Sequence, residues 1–471
     1  MNNTPKLWQR PATALAAGFR SGGPDPLEVL DAVLARREAV DSTLNAICTL
    51  DAHGARKAAE ASAARWRAGT PLSSIDGVPI TIKDNIPVAG MRSTWGSLLY
   101  ANHVPARDEL PVARLRAAGA VILGKTNVPE FTLQGYTDNR VFGLTRNPWN
   151  PALTPGGSSG GAVAAVAAGI GPVAFGTDGG GSIRRPASHV GLVGLKPGIG
   201  RVARIDGFPA VLHDFEVIGP IARCVDDLIA FMNFITEANP RDPLSAPFAG
   251  RPFVVPLQAS TARICFAPRF GGSPVDPSIR ASVAEAARRL AALGHGVDED
   301  PAFDLANGVN QLAWPVISQT ALAWLMTQHP DSESLLSEPL QQMLGNARKL
   351  TAAQYLGALN EVAGLRRRVA ELFETIDIVM TPTTAALPWS SSEVYPSVID
   401  GQQAGPRAHA VFTAFVNAAG LPAITIPAEP SPDGLPIGFQ LIGRPGAEGE
   451  LCAIAKQFEA AHPWANRWPA L

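Results

Sequence analysis

The sequence predicts an α/β protein, a β-sheet core with helices packed on it. Three observations carry this prediction. Short β-rich runs alternate with helical ones along the chain; the 471 residues are 46% hydrophobic and 17% charged; and the 45 Gly and 42 Pro fall between periodic segments instead of forming repeats. Alternating strands and helices are the pattern of a sheet with helices layered on it. The composition supplies a sizeable core and carries too little charge for disorder.

Residues 25–69 read as helices, because Leu27, Val29, Leu30, Val33 and Leu34 recur at helical spacing and 55–68 is rich in Ala. A β-rich run, Gly77-Val-Pro-Ile-Thr-Ile-Lys83, ends in turn residues. Residues 111–118 read as a helix and 120–124 as a buried strand. Then come a glycine-rich turn at 156–161, a helix of small residues at 162–168 and a strand at 172–177. A second flexible turn at 178–182 leads into a helix over 185–193. Further on, 277–293 is an amphipathic helix with Asp276 as N-cap and Pro277 at its first position. Residues 305–375 are mostly helical, 376–381 and 423–427 are strands, and a helix lies near 447–460. Four stretches organise the chain: a helical segment over 1–70, a core over 71–235, a variable and mostly helical region over 236–375, and an α/β part over 376–471 that completes the core. No long linker separates them, so one compact domain is expected.

Charge and cysteine usage narrow the function. The net charge is −2 and no run of Lys or Arg offers a track for a phosphate backbone, so nucleic acid is not an expected partner. Cys48, Cys224, Cys265 and Cys452 lie far apart without a CxxC pair, and no histidine has a partner at metal-ligand spacing. Neither a metal nor another cofactor is expected, and a reducing compartment is. No stretch approaches 18 apolar residues and the first 19 lack the apolar core of a secretory signal, so the expectation is a soluble, cytoplasmic protein.

The helix leaving the 156–161 turn runs away from it, and the following strand must return in a compact layer. Ser158 and Ser182, 24 positions apart, are thereby brought together on two flexible turns. Glycines there let the backbone approach a ligand and turn N–H groups inward. A nucleophilic hydroxyl, a proton acceptor and donors facing an oxyanion are the parts amide hydrolysis needs. Other readings stay open on these residues. The turns are structural in many proteins, or bind an anion without chemistry. A P-loop would require Lys-Ser/Thr after the last glycine, where Ala162-Val163 stands. The run Gly156-Gly-Ser-Ser-Gly160 also satisfies the nucleophile elbow of α/β-hydrolase esterases, with Ser158 as nucleophile and Asp377 with His409 or His462 as partners.

The longer strings separate these readings. Gly156-Gly-Ser-Ser-Gly-Gly161, Gly176-Thr-Asp-Gly-Gly-Gly-Ser-Ile-Arg-Arg-Pro-Ala187 and Gly194-Leu-Lys-Pro197, in that order and spacing, resemble the amidase signature family. The stretch 77–85 upstream and Asn417-Ala-Ala-Gly-Leu-Pro-Ala-Ile424 with 434–442 downstream extend the resemblance over roughly residues 25–460. It implies a large central mixed sheet covered by helices on both faces. It also implies Lys83 as general base, Ser158 as a bridging serine beside a cis peptide, and Ser182 as nucleophile. The N–H groups of Gly179, Gly180, Gly181 and Ser182 correspond to the oxyanion hole. Asp178 and Arg184 match structural positions, and Ser159 supports the lysine. Lys125, at a strand exit, reads as structural.

The resemblance therefore implies hydrolysis of the C–N bond of a small carboxamide, or a related hydrazide or carbamoyl compound, through an acyl-enzyme. A glutamine-dependent amidotransferase of the A type is the alternative within the family. That branch carries an acid seven positions before the Asn matching Asn417, where this chain has Ala410. Asp214-Phe-Glu216 departs from the family's Ser-Leu-Asp and is expected to reshape the pocket rim. Specificity is expected in 200–217 and 305–375, with His213, Phe215 and Trp314 as pocket residues and Leu312, Trp324 and Met326 beside them. The expected partner is a small-molecule amide, with no membrane involved and a homodimer allowed for.

Overall fold

A computed structural model describes residues 5–471. In chain order its strands are β1 (Ile47–Leu50), β2 (Pro79–Lys83), β3 (Val121–Thr126), β4 (Val173–Asp178), β5 (Val193–Lys196), β6 (Val217–Ala222), β7 (Arg263–Phe266), β8 (Gly296–Glu299), β9 (Ile378–Pro382), β10 (Val398–Ile399), β11 (Gln402–Gln403), β12 (Ala423–Pro427) and β13 (Gly438–Gly443). An 11-stranded sheet runs β1-β3-β2-β4-β6-β5-β12-β13-β9-β7-β8, and β10 and β11 form a separate pair. The sheet is mixed: β2 pairs in parallel with β3 and β4, β7 with β8 and β9, and the other neighbours are antiparallel.

Helices cover both faces. The helix Gly160–Ala168 rests on β2, β3, β4 and β6 and packs beside Arg184–Val190, which rests on β5, β12 and β13. On the opposite face Val225–Ile235 lies against β5 and β6, beside Glu448–Ala461 against β12 and β13. All nine residues of Gly160–Ala168 are buried, which its Gly, Ala and Val side chains permit because none is long enough to push its neighbours away. It ends at Gly169 in the left-handed conformation (φ 86°), the usual helix stop.

Several expected elements need correction. Residues 25–69 are not helical throughout. Asn45, at φ 52°, stops the helix Pro26–Leu44, and β1 then pairs with β3 before Ala52–Arg67 resumes. The helix expected to reach Val193 stops at Val190, because Gly191 turns left-handed (φ 73°) and Val193 opens β5. Strand β6 carries Gly219 and Pro220 at its centre, residues that read as breakers, yet it lies between β4 and β5. By contrast Asp276 caps Pro277–Ala292 by accepting the Ser278 N–H at 2.8 Å, and 305–375 holds the helices Trp314–Thr327, Glu338–Ala347 and Ala352–Thr375. Among the described residues no helix is long and apolar enough to cross a membrane.

The topology places the site. Parallel β2 and β4 are neighbours, so Lys83 and Thr177 emerge at the same sheet edge. The helix Gly160–Ala168 runs back against β4, so its N-terminal loop with Ser158 and Ser159 returns to that edge. This is the carboxyl end of the strands, where open α/β sheets leave a crevice.

Overfilling this helix is expected to be costly. Ala164→Leu, at a fully buried position, should lower unfolding free energy by about 2 kcal/mol in denaturant titration. An unchanged midpoint would mean that the layer is looser than its burial indicates.

Candidate active site

Lys83 ends β2 with no exposed surface. Its Nζ donates to Ser158 Oγ at 2.8 Å, Thr177 Oγ1 at 2.8 Å and the Thr177 carbonyl at 3.2 Å. Asn85 Nδ2 donates to the same Thr177 hydroxyl at 3.1 Å. Among the described residues no carboxylate bonds to the amine. Burial therefore dominates and pulls the Lys83 pKa down to about 7, while the more distant Glu216 and Asp178 oppose the shift. Lys125, in β3, holds the turn after Lys83 by donating to the carbonyls of Asp84 at 3.0 Å and Ile86 at 2.7 Å. It positions that turn.

The first glycine-rich loop presents Ser158 after a cis peptide bond between Gly157 and Ser158. Gly157 lies against the Tyr136 backbone, where an added Cβ would collide with the carbonyl oxygen. Ser159 does not touch Lys83. Its hydroxyl donates to the Thr177 carbonyl at 3.3 Å, and its N–H donates to the Ser182 carbonyl at 3.2 Å, tying the two loops together. Ser159 thus supports the lysine only through their shared acceptor.

The second loop is clamped by a buried ion pair. Arg184 Nε and Nη2 each reach the Asp178 carboxylate at 3.0 Å, and neither side chain is exposed. Burial alone would raise the Asp178 pKa, but Arg184 beside it holds the carboxyl well below the usual range. Residues far along the chain complete the clamp. Asn417 Nδ2 donates to Asp178 Oδ1 at 2.9 Å, Arg184 Nη2 donates to Asn417 Oδ1 at 2.6 Å, and Arg184 Nη1 donates to Gln440 Oε1 at 2.9 Å. Thr413 Oγ1 donates to the Gly180 carbonyl at 2.7 Å and Trp314 Nε1 to the Gly179 carbonyl at 3.3 Å.

These contacts occupy the carbonyls of Gly179 and Gly180. Gly181 is an exception to the expected oxyanion hole. At φ 117° its N–H points at Asp178 Oδ1, 2.6 Å away, and is already spent. Gly179, Gly180 and Ser182 have no protein acceptor for their N–H groups among the described residues. Ser182 and Gly180 border a cavity of about 490 Å³, whereas Ser158 and Lys83 lie behind it. Ser182 thus borders the cavity, while Ser158 and Lys83, outside its lining, are bonded to each other.

Not every expected pocket residue lines this cavity. Trp314 does. Phe215 is fully buried, with its carbonyl accepting from Asn417 Nδ2 at 3.2 Å. His213 faces a separate cleft of about 230 Å³ with Arg204 and Glu216. Leu212 still lines the Ser182 cavity, but His213, Asp214 and Glu216 border the other cleft, where Arg366 pairs with Asp214 and Arg204 with Glu216, both at 2.8 Å. Leu312 and Trp324 are largely exposed and Met326 is buried elsewhere in the core. The elbow partners are not assembled at Ser158: Asp377 pairs with Arg263 at 2.9 Å and His409 Nε2 sits 3.1 Å from Arg185 Nη1. Sequence reasoning missed Thr177, Asn417, Gln440, Thr413, Arg185 and Arg407. Thr177 and Arg185 had a signal, their places one residue before Asp178 and three after Ser182, and the others are joined to the loop only by folding.

The amidase family model matches residues 28–452. A Mycobacterium tuberculosis protein assigned as an amidase, AmiB2, is 38% identical over 480 residues, covering 98% of each chain. The A-type chain of the glutamyl-tRNA(Gln) amidotransferase from Moorella thermoacetica is 36% identical over 473 residues, covering 94% of this chain and 95% of that one. A solved bacterial aryl acylamidase of the amidase signature enzymes superposes with a TM-score of 0.87 at 28% identity, covering 98% of this chain and 100% of that one.

Removing the clamp's acid should unfold the loop's support. Asp178→Asn leaves Arg184 buried without its counter-charge and is expected to cost about 3–5 kcal/mol in chemical denaturation. A loss below about 1 kcal/mol would show that Asn417 and Gln440 hold the guanidinium unaided.

Proposed function

The chain belongs to the amidase family, hydrolases of carbon–nitrogen bonds in linear amides, and on that premise we propose that Ser182, Ser158 and Lys83 form the relay that cuts a small carboxamide. The observation that carries this reading is the uncharged setting of Lys83, 2.8 Å from Ser158 and without an acid in contact. An ordinary lysine, with a pKa near 10.4, would be almost wholly protonated at neutral pH and no base.

In the proposed sequence Ser182 Oγ attacks the amide carbonyl carbon while its proton passes to Ser158 and the proton of Ser158 passes to Lys83. The oxyanion is met by the unspent N–H groups of Gly179, Gly180 and Ser182. Lys83 then returns its proton through Ser158 to the leaving amine nitrogen, the C–N bond breaks, and an acyl-Ser182 ester remains. Water attacks that ester by the same route in reverse, releasing the acid. Ser158 has no direct access to the cavity, which favours a bridging role over the nucleophile of the elbow reading. Ala410, buried where the glutamine-dependent branch carries an acid, weighs against an amidotransferase role. The four cysteines are all free, which agrees with a cytoplasmic setting.

A fluorophosphonate probe with peptide mass mapping tests the assignment. Label is expected on Ser182, abolished in Ser182→Ala and slowed by at least about a hundredfold in Ser158→Ala. Label on Ser158 in the unaltered protein would overturn it. The sign of the pH dependence follows from the lowered lysine pKa: the neutral base predominates above about 7, so kcat/KM should rise through that pH and fall away below it. Lys83→Arg, which cannot give up its proton at these pH values, should remove this limb along with the activity. A limb that persists in that variant would assign the titration to another group.

A further inference from the structure

Two arginines enter the wall of the Ser182 cavity, and neither pairs with a carboxylate among the described residues. Arg185, 5% exposed, follows Ser182 by three positions. Its Nη1 meets His409 Nε2 at 3.1 Å, and its Nε lies 3.5 Å from the Gly181 carbonyl. Burial and the neighbouring guanidinium groups of Arg185 and Arg407 hold His409 well below its ordinary pKa, so it meets Arg185 as a neutral acceptor. The positive charge is therefore not cancelled there. Arg407 stacks its guanidinium 3.6 Å from the centre of the Trp314 ring, and its Nε and Nη2 are buried without any hydrogen-bond partner.

Burial lowers both guanidinium pKa values, to about 10 for Arg185 and about 9 for Arg407, and both remain cations at neutral pH. Among the described residues the one carboxylate in the cavity wall is Glu338, an exposed side chain whose Oε1 accepts from Gln342. A buried cation with unspent donors is costly unless something supplies a counter-charge. Both side chains line the cavity in which an amide must lie, although Arg407 Nε and Nη2 are themselves closed off from it, so a ligand meets those two donors only after a small shift of the guanidinium.

The geometry points to a substrate that carries a carboxylate beside its scissile amide, received by Arg407 and Arg185. The inference rests on the relay reading for where the amide sits. A planar guanidinium offers paired N–H donors that match the two oxygens of a carboxylate. Trp314 adds a second constraint: it stacks on Arg407 and donates to the Gly179 carbonyl, so the anion site and the oxyanion loop share one rigid side chain. An anionic group seated on Arg407 would thus fix the carbonyl's approach to Ser182 as well as its affinity.

Two matched pairs of amides test this on the full-length protein. N-succinyl-4-nitroanilide against N-butyryl-4-nitroanilide places the charge on the acyl side, and 4-acetamidobenzoate against 4-methylacetanilide places it on the amine side. In at least one pair the charged member is expected to have a kcat/KM about tenfold or more above its neutral partner, the scale of a charge-assisted hydrogen bond. Arg407→Gln should reduce that ratio mainly through KM, and Arg407→Lys should restore part of it; unchanged thermal melting certifies both variants. Ratios at or below one in both pairs overturn the proposal, as does fluorophosphonate labelling of Ser182 without turnover of any of the four amides. Absence of labelling would instead remove the relay reading on which the inference stands.

Discussion

Lys83 is buried at the end of a parallel strand with hydroxyl and carbonyl oxygens as its partners and no carboxylate in contact. A charged amine in such a place would lose its hydration without gaining a counter-ion, so the neutral form is favoured and the pKa falls to about 7. The rest of the centre follows from keeping acids off that amine. Asp178, at the end of the next strand, is directed away and consumed by Arg184, Asn417 and three backbone N–H groups. The same carboxylate that would hold that amine charged is thereby used to shape the loop that carries Ser182.

The two charged elements answer opposite demands. The Asp178–Arg184 pair is fully compensated: guanidinium and carboxylate find one another and amide side chains fill the remaining donors and acceptors. Such a pair adds little net stability compared with apolar packing, yet losing one member leaves a naked buried charge. It therefore specifies one loop geometry. Arg185 and Arg407 are the reverse case, cations lining the cavity without a carboxylate partner among the described residues, Arg407 with two buried donors unpaired. In one small volume the chain spends its acid on structure and leaves its arginines for what enters.

How much of this was legible in the sequence depended on distance along the chain. The two glycine-rich loops, Lys83, Ser158 and Ser182 were legible because strand, turn and helix follow one another locally and their strings are long. The α/β class was legible from alternation, while β1, β5, β6, β7, β8, β10, β11 and β13 were not. A four-residue strand between helices has too little periodicity, and Gly219 with Pro220 reads as a break until two neighbouring strands enclose it. Asn417 and Gln440 stand 233 and 256 positions from Arg184, a separation that no local pattern bridges. Gly181 shows a subtler limit. Its place in the Gly-Gly-Gly-Ser string implied an oxyanion donor, but only the loop's geometry reveals that the N–H is already given to Asp178. Of the 211–216 stretch only Leu212 reaches the Ser182 cavity; ion pairs of Asp214 to Arg366 and Glu216 to Arg204 hold His213 at another cleft, and Phe215 is buried.

The central claim is that Lys83 is a neutral amine near physiological pH, and its titration measures this directly. With only seven lysines in the chain, ε-carbon-13 labelled lysine gives a tractable NMR spectrum, and Lys83→Arg identifies the resonance to follow. Lys196, also buried and lowered to about 7, remains as an internal reference in that variant. The account predicts that the resonance lost in Lys83→Arg titrates near 7. A midpoint near the ordinary value of about 10.4 would contradict it, because the amine would then be an ammonium and the base of the relay would have to be sought elsewhere.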